Sequence, residues 1–98
     1  MPDEPDPIQL PIDGILDLHT FRPQDLGDLI PDYLAECRLR GILQVRIIHG
    51  KGIGELRRTV HAILGRLPDV ATYRTPSDAS SWGATIVELF PLADQRPD

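Results

Sequence analysis

Residues 43–64 read LQVRIIHGKGIGELRRTVHAIL, and the change of period within this run decides the fold. Leu43 to His49 is rich in β-branched side chains and bounded by Gly41 and Gly50, the composition of a largely buried strand. From Gly54 to Leu67 the apolar residues Leu56, Val60, Ile63, Leu64 and Leu67 recur at helical spacing. Arg57, Arg58 and His61 occupy the other face, and Pro68 is the stop. Between strand and helix lies His49-Gly50-Lys51-Gly52-Ile53-Gly54, a glycine-rich turn that feeds a helix N-terminus, where unpaired N–H groups and the positive dipole end favour an anion. The spacing is that of neither a Walker loop nor a dinucleotide fingerprint. Strand, tight loop and helix in this order mark an α/β chain.

On the N-terminal side, Leu16 and Leu18 alternate with Asp17 and His19, which predicts a first strand with one apolar face. Pro23, Asp25 and Asp28 supply helix-start chemistry, and Leu26, Ile30, Tyr33, Leu34 and Cys37 follow on one helical face. A proline is cheap only in the first helical turn, so Pro31 predicts a short turn over 23–27 and a regular helix over 28–40. Downstream, Val70 to Thr75 reads as a third strand, Pro76 to Trp82 as a loop, and Gly83 to Phe90 as a fourth strand. In that last strand Thr85, Val87 and Leu89 alternate with Ala84, Ile86 and Glu88. The order is βαβαββ, and helical connections predict parallel pairing among the first three strands, with helices on one or both faces.

The chain has 98 residues, enough for one domain with one core. We expect the domain to span 12–91, between an extended acidic, Pro-rich tail over 1–11 and a C-terminal tail over 92–98. A single cysteine, Cys37, excludes a disulfide framework, and one Cys with three His at 19, 49 and 61 matches no zinc finger. Cys37 sits on the apolar helix face and is expected to be buried and inert. A reducing cytoplasm is the expected location. No apolar run reaches the length of a membrane span, so a membrane is not an expected partner.

Net charge is −5, yet the charge is segregated. Residues 38–74 carry eight basic side chains against Glu55 and Asp69, a net of +6 between acidic ends. Such a centre suits a polyanion even where the average does not.

Ligands of parallel sheets bind beyond the carboxyl ends of the strands. Asp17 and His19 leave the first strand on one face, and His49 ends the second, so the three are expected to converge. A carboxylate beside one imidazole, with a second imidazole in the complementary protonation state, is a general acid–base set. Alternatively, Asp17 and His19 are candidate ligands for Mg²⁺ or Mn²⁺, with water and substrate phosphate filling the remaining positions. Gly50, Lys51, Gly52, Gly54, Arg57 and Arg58 are the candidate phosphate contacts. Trp82 is either a base-stacking aromatic at a loop tip or, more commonly, a cover for the core edge.

LDLHT (16–20), HGKG (49–52), LPDVATYR (67–74) and WGATIVEL (82–89), in this order, resemble the small MutS-related (Smr) domain over residues 13–90. The resemblance implies a two-layer α/β sandwich with a four-stranded mixed sheet, similar to the C-terminal domain of translation initiation factor three. It further implies nicking of branched or nicked DNA, sometimes with divalent metal, or cleavage of RNA, and association with ribosomes. The family's motifs fall on Asp17, His19, His49, Gly50, Lys51 and Gly52. Thr20 stands where the family commonly has glycine, and Ser80-Ser81-Trp82 where it commonly has a glycine-rich loop. The expectation is a structure-selective endonuclease using His19 and His49, with no cofactor if RNA is cut through its 2′-hydroxyl. The alternative is a non-catalytic module that docks on structured nucleic acid, the ribosome or a recruiting protein.

Overall fold

The computed structural model describes residues 11–50, 54–76 and 83–92. The expectations for Lys51, Gly52, Ser80, Ser81, Trp82 and most of both tails lie outside the described residues.

Four strands and two helices follow the expected order: β1 (Ile15–Asp17), α1 (Leu26–Leu39), β2 (Gln44–Ile48), α2 (Glu55–Leu64), β3 (Val70–Arg74) and β4 (Ala84–Leu89). They form a two-layer α/β sandwich with a mixed four-stranded sheet in the order β1-β2-β4-β3. β1 pairs with β2 in parallel, whereas β4 is antiparallel to both β2 and β3. The expected parallel pairing of the first three strands is thus half right. β3 runs in the direction of β1 and β2 but is separated from β2 by β4.

Burial explains the insertion. β4 is buried at five of its six positions, with Ala84 and Ile86 at 3% and 6% exposure on one side and Thr85 and Val87 at 0% on the other. A strand apolar on both sides belongs in the middle of a sheet, while β3, with Ala71, Thr72 and Arg74 exposed, tolerates an edge.

The register assigns side chains to faces. Leu16 lies beside Ile47, Ile47 beside Thr85, Val45 beside Val87, and Val87 beside Tyr73, so these residues share one face. Both helices bury their apolar stripes against it. α1 contributes Leu26, Leu29, Ile30, Tyr33, Leu34 and Cys37, and α2 contributes Val60, Ile63 and Leu64. The other face carries Asp17, Arg46, Ile48, Ile86, Glu88 and Arg74, with an Arg74–Glu88 ion pair at 3.1 Å.

Two helix boundaries differ from expectation. A 3₁₀ turn over Pro23–Asp25 runs directly into α1, which starts at Leu26 and so places Pro31 in its interior. Pro31 lacks the N–H that would reach the Gly27 carbonyl, and that carbonyl belongs to an exposed residue open to water. Burial of six apolar side chains outweighs one missing hydrogen bond. α2 ends at Leu64 instead of Leu67 because the chain tightens there: Arg66 N–H donates to Ile63 O at 3.0 Å and Leu67 N–H to Leu64 O at 3.2 Å.

Ile47 is fully buried at the centre of the helix-covered face. Replacing it with alanine is expected to lower unfolding stability by about 2–5 kcal/mol, measurable by urea denaturation. A loss under about 1 kcal/mol would show that this face collapses around the gap.

Candidate functional site

β1 and β2 end on the same edge of the sheet, and the chain leaving each of them walls a cleft of about 290 Å³. Phe21, Arg22 and Pro23 come from the turn after β1, His49 and Gly50 from the end of β2, and Gly54, Glu55, Leu56 and Arg57 from the start of α2. Gly50 and Gly54 both adopt left-handed backbone, φ +84° and +89°, which only glycine takes without strain. Gly54 is the N-cap of α2 and offers no side-chain cap, so the first-turn N–H groups lie at the cleft edge. The Gly83 carbonyl accepts both the His49 and Gly50 N–H groups, at 2.9 and 3.0 Å, and pins the turn to β4.

The cations divide into two sets. Arg38 is structural: it pairs with Asp69 at 3.1 Å and donates to the Phe90 and Pro91 carbonyls. Arg40 pairs with Glu36 and Arg74 with Glu88, so these three add little to a positive surface. Among the described residues Arg57 donates a side-chain hydrogen bond to the Thr75 hydroxyl at 3.4 Å, and neither Arg57 nor Arg58 makes an ion pair. Both are exposed at the start of α2, where their charge adds to the dipole.

The three expected catalytic residues do not converge. Asp17 lies beside Ile48 on the open face, whereas His49, two residues beyond Ile47, continues the helix-covered face. Among the described residues no hydrogen bond, ion pair or ring contact joins His49 to Asp17 or His19. Asp17 and His19 do meet each other. Asp17 Oδ1 accepts the His19 backbone N–H at 3.0 Å and stands 3.4 Å from His19 Nδ1, leaving Nε2 without a partner among the described residues. Both side chains are more than half exposed. The pair sits in the turn closed by Phe21 N–H donating to Leu18 O at 2.9 Å, so the cleft wall begins two residues after His19.

His49 is buried at 6% exposure, with both ring nitrogens engaged: Nδ1 lies 3.2 Å from Gly50 O and Nε2 2.9 Å from Thr85 Oγ1. The same hydroxyl lies 2.9 Å from His61 Nε2. The sequence reading missed this trio. It set His61 among the solvated residues of α2, but His61 is half-buried on the flank of the helix and packs edge-on against the Tyr73 ring at 5.0 Å. The available signal was Thr85, a hydroxyl in a strand otherwise apolar on that side. Burial pushes the His49 imidazole below its ordinary pKa, and the positive charge of Arg57 acts in the same direction. His61 is lowered for the same two reasons.

Among the described residues there is no group of three or more His, Cys, Asp or Glu side chains able to hold an ion, and Asp17 with His19 supplies two donors.

The domain is a mixed α/β sandwich with a glycine-bounded cleft at the ends of β1 and β2. The sequence model of the Smr domain matches residues 16–90, and the chain belongs to this family. The chain is 39% identical over 75 residues to endonuclease MutS2 of Halothermothrix orenii, covering 76% of this chain and 10% of that protein. It is 43% identical over 75 residues to endonuclease MutS2 of Maridesulfovibrio salexigens, with the same coverage. The chain thus spans about a tenth of the length of these relatives. The crystal structure of the Smr domain of Thermus thermophilus MutS2 superposes with a TM-score of 0.73 at 29% identity, over 81% of this chain and all of that one. YdaL, a stand-alone small MutS-related protein from Escherichia coli, shares the fold, with a TM-score of 0.68 at 24% identity over 78% of this chain and 63% of that one. Among the described residues no helix is long and apolar enough to cross a membrane.

The lowered histidines set a pH dependence. Below about pH 6.5 the unfolded chain takes up protons on these side chains that the folded chain resists, so their contribution is complete above that pH and is lost on acidification below it. Unfolding free energy should therefore fall between pH 7 and pH 5, and His61→Gln should flatten the slope. An unchanged slope in the variant would contradict the assignment for His61.

Proposed function

We propose that this domain binds nucleic acid through the cleft and cleaves the phosphodiester backbone, with RNA as the substrate class. The observation that carries the reading is the amphipathic cleft itself. Phe21, Pro23 and Leu56 line it with apolar surface, Arg57 adds a cation and Arg22 a guanidinium paired with Asp25 at 3.8 Å, and the first turn of α2 lies along it. A nucleotide has the same two-sided chemistry, an apolar base face beside a charged phosphate. Membership of a family whose relatives are named endonucleases supports the same reading.

In this mechanism Gly50, Gly54, Arg57 and Arg58 hold the phosphate, with Lys51 and Gly52 as further contacts expected from the sequence. Asp17 orients His19 through Nδ1, and the free Nε2 takes the proton of the ribose 2′-hydroxyl as its oxygen attacks the adjacent phosphorus. The P–O5′ bond breaks as the new bond forms, the leaving 5′-oxygen takes its proton from water, and the product carries a 2′,3′-cyclic phosphate. A base with an orienting carboxylate suffices for this reaction, which favours RNA over DNA, where water must be activated. With a net charge of −5 the affinity for bulk nucleic acid is low, so a ribosome or recruiting protein raises the local concentration.

A non-catalytic docking module is the second reading, favoured by the engagement of both His49 nitrogens within the protein. End-labelled RNA and DNA with single-stranded, branched and nicked elements, assayed with and without EDTA, separate the readings. RNA cleavage should persist in EDTA, leave cyclic phosphate ends and fall at least about 100-fold in His19→Ala. Arg57→Ala should weaken binding and its salt dependence while leaving the rate at saturation nearly unchanged. Binding without cleavage would establish the docking module, and EDTA-sensitive DNA nicking would replace the mechanism with a metal-dependent one.

A further inference from the structure

The Thr85 hydroxyl is fully buried and lies 2.9 Å from the Nε2 atoms of both His49 and His61. It has one hydrogen to give, so the two contacts cannot both be donations from Thr85. Their direction is set at the far side of the His49 ring. Gly50 O, 3.2 Å from His49 Nδ1, only accepts, and Nδ1 must therefore carry the hydrogen. Burial and the neighbouring Arg57 charge push the imidazole below its ordinary pKa, against the backbone hydrogen bonds of Gly50 and Ala84, and in the neutral ring that carries its hydrogen on Nδ1 the Nε2 atom is a lone pair. Thr85 donates to that lone pair, and its oxygen accepts from His61 Nε2–H. The resulting chain runs one way: His61 to Thr85, Thr85 to His49, His49 to the Gly50 carbonyl. Reversing it would set the Nδ1 lone pair against the carbonyl lone pairs.

We infer that Thr85 and His61 are positioning residues that lock His49 as the Nδ1–H tautomer and, through it, fix the Gly50 carbonyl and the left-handed turn that forms the cleft wall. His49 is then a tether between β4 and the glycine turn, and its proton stays within the protein. The turn needs such a tether. Gly50 has a φ of +84°, and among the described residues nothing lies within 4 Å of the place a Cβ would take and no side chain caps α2. The two anchors come from one strand: the Gly83 carbonyl holds the backbone of the turn and Thr85 holds its imidazole.

Histidine tautomers are read directly from long-range ¹H–¹⁵N spectra of the ¹⁵N-labelled full chain at pH 7.5. The native protein should show opposite tautomers, Nδ1–H at His49 and Nε2–H at His61. Thr85→Val, nearly isosteric, should release His49 to a tautomer mixture, whereas Thr85→Ser should restore the native pattern. The same tautomer at both histidines, or an unchanged His49 pattern in Thr85→Val, would overturn the inference. Thermal unfolding of both variants confirms that they are folded when the spectra are taken. If Thr85→Val does not fold, the native spectrum alone decides.

The effect on ligand rests on the proposed cleft reading. With a short single-stranded RNA as probe, Thr85→Val should bind about three- to tenfold more weakly and Thr85→Ser like the native chain. Equal binding by all three, with the tautomer shift observed, would refute the cleft as the RNA site and leave the relay standing.

Discussion

One strand makes the site possible. β4 enters the sheet between β2 and β3, and its first residues meet the end of β2 where the glycine turn begins. The Gly83 carbonyl takes two N–H groups of that turn, and two residues later the Thr85 hydroxyl takes the His49 ring. Had β3 paired with β2 as the simplest parallel arrangement would have it, these positions would be supplied by a strand whose exposed Ala71 and Thr72 offer no buried surface. Burial on both faces places β4 at the centre, and its place at the centre brings a hydroxyl against two imidazoles from separate elements.

The same arrangement separates polar chemistry into two faces. His49 and His61 work inside the helix-covered layer, where desolvation keeps them neutral. Asp17 stands on the other face, 3.4 Å from His19 Nδ1, and both side chains are exposed to solvent. The turn from Leu18 to Phe21 leads from the second pair to the cleft wall, and of the buried trio His49 lines the cleft. Arginines follow the same division. Arg38 is committed to Asp69 and the chain after β4, while Arg57 and Arg58 remain available at the start of α2.

Much of this was legible in the sequence. The strands and helices follow from period alone, since Leu16 and Leu18 alternate with polar residues, while Val60, Ile63 and Leu64 recur at helical spacing. Leu16, Leu18, Ile30, Cys37 and Val60, read as apolar-face residues, are all fully buried. Sheet order was not legible, because period says that a strand is half or fully buried but not which neighbour buries it. The convergence of Asp17, His19 and His49 failed for a related reason. Counting by two along β1 places Asp17 and His19 together, but only the β1–β2 register, Leu16 beside Ile47, shows that His49 continues the opposite face. Thr85 and His61 were hidden because their partnership spans 24 residues and two elements.

The central claim is that nucleic acid binds at the ends of β1 and β2, in the concavity there and over the exposed Asp17–His19 pair, and not over the middle of the open sheet face. Amide chemical-shift mapping of the ¹⁵N-labelled chain during titration with a short single-stranded RNA tests it most directly. The account predicts shifts concentrated at Phe21, Arg22, Gly50 and Gly54 to Arg57, with Asp17 and His19 following. Shifts concentrated instead at Arg46, Ile86 and Arg74 would place the ligand on the opposite side of the sheet and contradict the account.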